Sequence, residues 1–126
     1  MKGVVVTTDL DIRVEDFAEP LYKTVGAAIG GYIEHVRPMR LKEPFCMVVN
    51  DEGQLRGLSR NLVGSFLYGT DLHGEPVVGN IVIMKDGYCN GEPDIVGLTD
   101  EEIERVQSSM SILVSKMNLQ SKGETT

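Results

Sequence analysis

The run Phe45-Cys46-Met47-Val48-Val49 constrains this chain more than any other feature. It is short and nearly all apolar, with Pro44 on one side and the turn sequence Asn50-Asp51-Glu52-Gly53 on the other. Such a segment reads as a strand with no solvent face, so it belongs at the centre of a sheet. A central strand demands neighbours, and the rest of the chain offers them. Lys2 to Thr7, with Val4-Val5-Val6, reads as a strand, and Ile12 and Val14 continue beyond the turn Thr7-Thr8-Asp9 as the second arm of a hairpin. Tyr32 to Arg37 is rich in β formers and stops at Pro38. The Asn50–Gly53 turn predicts that Gln54 to Leu58 returns as another arm. Asn80 to Lys85 supplies a further core strand, and Asp86 to Gly97, with its glycines and proline, reads as a loop.

Three segments have helical character. Leu21, Val25, Ala28 and Ile29 recur at helical spacing after Pro20, and Gly30-Gly31 stops that helix. Ser59 is placed to cap a short helix through Asn61, Leu62, Phe66 and Leu67. Thr99 opens the clearest helix: with Glu102 three residues on it forms a capping box, and Asp100 and Glu101 suit the positive end of the dipole. Ile103, Val106, Met110, Leu113 and Met117 form one apolar stripe, suited to core packing or to a dimer interface. The expectation is a single α+β domain over residues 1–117. It has one mixed or antiparallel sheet of about five strands, two or three helices on one side, and a disordered polar tail over 118–126.

Charge narrows the partners. The 126 residues carry a net charge of −7, which argues against nucleic acid, because phosphate neutralisation needs a basic face. It leaves a basic protein surface, steered by the acidic field, or a small anion held in a local basic pocket. Met1 and Lys2 lead directly into a strand, so no secretory leader is expected. No apolar run approaches the roughly 18 residues needed to cross a bilayer, so the expected location is the cytoplasm. Cys46 and Cys89 then read as free thiols, the first buried and the second in a loop.

Catalytic machinery is not apparent. His35 and His73 stand in no nucleophile motif, and His35 reads as a structural strand residue. Asp71, His73 and Glu75 alternate in the manner of metal ligands, but Gly74 and Pro76 make the stretch a turn, so no metal is expected. The carboxylates of Asp51-Glu52 and of Asp100 to Glu104 have sufficient reasons in a turn and a helix start. Gly26, Gly30 and Gly31 precede a strand and lack the Gly-Lys-Ser/Thr of a phosphate loop. What stands out is basic: Arg37, Arg40 and Lys42 lie within six residues, and Arg56 and Arg60 follow the adjacent turn. If these strands are neighbours, the arginines converge near Tyr32 and Asn61. Arginine forks suit phosphate, and a tyrosine can stack on a base. The candidate ligand site is therefore Tyr32, Arg37, Arg40, Arg56, Arg60 and Asn61, with a solvated basic face as the plain alternative.

Several segments together resemble a family carried by phages and mobile elements, domain of unknown function 3846. Gly30-Gly31-Tyr32-Ile33-Glu34 is similar to that family's helix end and strand entry, with Val25 before it. Val49-Asn50-Asp51-Glu52-Gly53, Leu55 and Gly57-Leu58 resemble its turn and following segment, although Ser59 stands where proline is common. Asn61, Val78-Gly79-Asn80 and Leu98-Thr99-Asp100-Glu101-Glu102-Ile103 match in order and spacing, so the likeness runs over roughly residues 1 to 110. The resemblance implies a phage-type accessory protein and no particular activity. With the basic cluster it leads to an expectation of stoichiometric binding rather than catalysis. The expected role is counter-defence, with a homo-oligomer sequestering a small nucleotide signal. The alternative is an acidic inhibitor that covers a basic surface of a host enzyme.

Overall fold

The computed structural model describes residues 1–124, with side chains as far as Asn118; past Asn118 the tail expected over 118–126 lies outside the residues described in full. The described residues form an α+β fold with one antiparallel sheet of six strands and three helices. In chain order these are β1 (Lys2–Val6), β2 (Ile12–Asp16), α1 (Leu21–Ile29), β3 (Ile33–Val36), β4 (Phe45–Asn50), α2 (Leu62–Tyr68), β5 (Ile81–Cys89), β6 (Glu92–Val96) and α3 (Asp100–Glu124). The sheet order is β2-β1-β5-β4-β3, with β6 also paired to β5. As its composition requires, β4 is interior, paired to β3 on one edge and to β5 on the other.

The helices do not lie on one side. Met47 and Val49 join Val4, Val6, Ile81 and Ile83 in a core covered by α2 and α3, while Cys46 and Val48 join Val5, Val82 and Met84 beneath α1. The correction follows from the sequence itself. When consecutive residues of β4 and β5 are all apolar, both faces of the pleat must be sealed, because successive side chains point to opposite faces.

Two connections also differ from expectation. Gln54 to Leu58 is not a returning strand but a series of tight turns, with hydrogen bonds from Arg56 N to Glu52 O and from Leu58 N to Gly53 O. Both edges of β4 are already occupied, and Leu55, 90% exposed, has no core to enter. Conversely, Asp86 to Gly97 is no loop. Asn90 and Gly91 take φ of 53° and 80°, the mirror-image turn that a two-residue hairpin requires, and Cys89 pairs with Glu92 across it. Lys85 pairs with Phe45 on one side and Val96 on the other, so β6 continues along the edge of β5 that β1 occupies.

Helix ends obey local chemistry. Gly30, at φ 83°, closes α1 through its N–H to Gly26 O, a backbone that favours glycine. Asn61, not Ser59, caps α2, its side chain accepting from Gly64 N. At α3 the capping box forms as expected: Thr99 N donates to Glu102 Oε1 at 2.9 Å and Glu102 N to Thr99 Oγ1 at 3.2 Å. The stripe of α3 packs on the sheet, with Ile103, Val106 and Met110 buried and Leu113 and Met117 against them. No helix among the described residues is long and apolar enough to cross a membrane.

Glu102 also receives Lys85 Nζ at 2.8 Å, tying α3 to β5. Burial raises the Glu102 pKa, but hydrogen bonds from Lys85 and Thr99 outweigh it, leaving it below the ordinary 4.5. A carboxyl held low in the folded state stabilises above its unfolded pKa and loses that contribution as pH falls. Glu102→Gln should therefore cost about 1 kcal/mol at neutral pH. Its urea midpoint should approach that of the unaltered protein as pH drops through the carboxylate range, and a gap that persists at low pH would contradict this role.

Candidate functional site

The six residues of the candidate ligand site do not form one site. Tyr32 and Arg37 flank β3 at its two ends, about 16 Å apart for five residues of extended chain. Arg37, 67% exposed, lies 3.5 Å from Glu43 and from Asp86. Arg40 is engaged elsewhere: its guanidinium donates to both carboxylate oxygens of Asp71, at 2.7 and 2.8 Å, and to Phe66 O, and stands 4.5 Å above the Phe66 ring. That bond holds the Asp71 carboxyl below its ordinary range. A fork already closed on a carboxylate is not available to a phosphate. Arg60 is exposed at the bridge to Val78.

Asn61 is a correction. It has no exposed surface, and its amide donates to Val6 O at 3.0 Å and Gly79 O at 2.9 Å while its oxygen caps α2. Every polar atom is satisfied inside the protein, so the side chain is out of a ligand's reach. The Asp71, His73 and Glu75 set does not converge either. Asp71 holds Arg40, His73 packs edge-on against Tyr68, and Glu75 borders a hollow.

Two of the six, Tyr32 and Arg56, lie near the same end of α1. Arg56 donates to Gly30 O, and Asp51 N donates to Tyr32 O, so the turn after β4 folds over the end of α1. There a groove of about 400 Å3 is lined by Tyr22, Lys23, Gly26, Ala27, Gly30, Gly31 and Tyr32. Two of its glycines are required by close packing behind it: a Cβ on Gly26 would stand 2.9 Å from Gly31 O, and one on Gly31 would stand 2.9 Å from the Asn50 amide nitrogen and 3.2 Å from the Arg56 guanidinium. Tyr22 and Tyr32 are 64% and 74% exposed. Tyr22 and Lys23 escaped the sequence reading because they look like the outer face of an amphipathic helix. The one available signal was the glycine spacing, which marks where backbone comes close to backbone.

On the opposite face, a hollow of about 300 Å3 is lined by Glu34, Asp51, Glu75, Gln54 and the apolar Val36, Val49 and Val77, among others. It is acidic, unlike the tyrosine groove. Elsewhere on the α1 face, His35, Cys46 and Asp86 come together from three strands, a grouping that strand register creates and sequence spacing hides. Burial, then the charge and hydrogen bond of Asp86, push the Cys46 thiol up to about 12. It is thus a neutral thiol and no activated nucleophile.

Replacing Asn61 with alanine would orphan two buried carbonyls and remove a helix cap, at a cost of about 3 kcal/mol. Urea unfolding should read this as a lowered midpoint with unchanged slope, and a loss under 1 kcal/mol would contradict the structural role.

No curated protein and no solved structure matches this chain significantly. A family model described as Domain of unknown function (DUF3846) matches residues 1–111, so the chain belongs to that family.

Proposed function

We propose that this protein acts by stoichiometric binding of a small nucleotide-like anion in the groove between Tyr22 and Tyr32. The observation that carries the reading is a glycine-floored groove bordered by two exposed tyrosines, with Lys23 and Arg56 beside it. Its volume falls within the range of small-molecule sites. Aromatic rings offer stacking to any base, worth about 1–3 kcal/mol each, and the two cations offer charge to a phosphate. Arg37, Arg40 and Asn61 have no part in it. The wider setting we propose is the phage counter-defence expected from the family resemblance, with the protein as a homo-oligomeric cytoplasmic sponge for a host signal. Non-catalytic action is part of the same proposal.

A second reading has one observation of its own, the acidic hollow of Glu34, Asp51 and Glu75. In a chain of net charge −7 it would suit a cationic side chain presented by a basic host protein.

A thermal-shift screen against linear, cyclic and dinucleotide ligands tests the first reading. A ligand at about one hundred times its dissociation constant should stabilise the fold by about 2.7 kcal/mol. Tyr32→Ala and Arg56→Glu should weaken that ligand about tenfold or more, while Arg40→Ala and Arg37→Glu leave its affinity unchanged. No shift with any nucleotide, or a shift indifferent to Tyr32 and Arg56, would sink the proposal. Loss of a bound basic protein in Glu34→Gln and Glu75→Gln variants would favour the second reading.

A further inference from the structure

On the α1 face of the sheet, three adjacent strands each contribute one potential metal ligand. His35 on β3 lies opposite Val48, which is two residues from Cys46 on β4; Cys46 lies opposite Met84, two residues from Asp86 on β5. Two residues along a strand restores the same face, so the register alone brings these side chains together. One ligand atom from each, a His35 ring nitrogen, Cys46 Sγ and an Asp86 carboxylate oxygen, all lie within 4.8 Å of one another. His35 Nε2 and Asp86 Oδ1 are 2.6 Å apart. Among the described residues this is the one such group of three.

We propose that His35, Cys46 and Asp86 form a binding site for a borderline-soft divalent cation of the zinc class. The donor set is one nitrogen, one sulfur and one oxygen, a mixture that zinc accepts and that magnesium and calcium, which take oxygen, do not. Bonds of about 2.0–2.3 Å to a tetrahedral ion place ligand atoms about 3.5 Å apart. The three atoms reach that spacing by small side-chain rotations, with His35 and Asp86 parting by about 1 Å and no strand moving. Charge fits as well. A Cys46 thiolate and an Asp86 carboxylate together neutralise a divalent ion, whereas either anion alone would be costly at this depth.

Two features oppose the ion, and both give way to it. The Cys46 proton, held by burial and by Asp86, leaves to solvent when the S–H bond is exchanged for the metal bond, as ligand thiols do. Arg37, 3.5 Å from Asp86 Oδ2, balances that carboxylate in the ion's absence and is exposed enough to swing out when the ion takes over. His35 and Asp86 keep 33% and 27% of their side chains exposed. The ion therefore has a route in and a fourth position open to water. The site stands on the other side of β3's length from the Tyr32 groove, and the two proposals fail or hold separately.

The test is titration of the metal-stripped full-length protein with Co2+, followed by Zn2+. The expected result is one equivalent of cobalt giving a thiolate-to-cobalt charge-transfer band that zinc abolishes. Cys46→Ser should remove the band and Cys89→Ser, which alters the exposed second thiol, should retain it. His35→Ala and Asp86→Asn should each weaken binding at least tenfold. Arg37→Ala should tighten it by removing the competing cation, and this variant leaves the buried cluster intact should Cys46→Ser fail to fold. Absence of the band at stoichiometric cobalt overturns the proposal. So does a band that follows Cys89, or affinity unchanged in Arg37→Ala and Asp86→Asn, and the cluster is then a hydrogen-bonded group and nothing more.

Discussion

One amide holds the architecture together. Asn61 joins the end of β1 at Val6, the approach to β5 at Gly79 and the first turn of α2. These three segments come from distant parts of the chain, and without the amide two carbonyls and one N–H would lie in the core with no partner. Buried polar groups are affordable only when each is bonded. Because the side chain has one acceptor and two donors and needs all three, aspartate or serine could not replace it, and glutamine carries the same amide one methylene farther out. The position of α2 over the sheet, and with it the acidic hollow between α2, β3 and β4, follows from this single side chain.

The sheet's second constraint is that its inner strands have no polar face. β4 and β5 are buried on both sides, so α1 must cover one face and α2 and α3 the other. The helices share out this task unequally. α1 is nine residues long, and its end at Ile29 lies against Asn50, at the opposite end of β4 from Cys46. The Cys46 thiol is fully buried, in the same cluster as Val25 and Ile29 of α1. A polar cluster can survive at that end because the histidine and carboxylate keep part of their surface in water.

Much of the fold is legible in the sequence, and the exceptions have physical reasons. Central β4, the Gly30 stop and the Thr99–Glu102 capping box are local chemistry, and each appears where the residues place it. The β5–β6 hairpin was also legible, since Asn90-Gly91 is the strongest two-residue turn signal, but three glycines and a proline within twelve residues read as irregular chain. Pro93 is tolerated because β6 is an edge strand. The turn at Asn50–Gly53 was legible, but its continuation through Gln54 to Leu58 was not. Nothing local says that both edges of β4 are taken, because one of the partners, β5, lies thirty residues downstream. The site fared worse for the same reason. Arg37, Arg40 and Arg56 are close in sequence, yet the strand between the first and last carries them to opposite ends, and Asp71 captures the second. Tyr22 and Lys23, on a helix whose apolar spacing signals only packing, border the groove.

The pairing order also governs when the molecule can become whole as it is synthesised. β1 with β2 and β3 with β4 are hairpins between near neighbours in sequence, and each can close early. Neither hairpin touches the other, since β1 and β4 are joined only through β5 between them. Until residues 81–89 have emerged, the nascent chain holds two separate hairpins, each offering an apolar strand with an open edge. The last third of the sequence is therefore the keystone, and a chain interrupted before it would present two adhesive half-sheets rather than a smaller version of the fold.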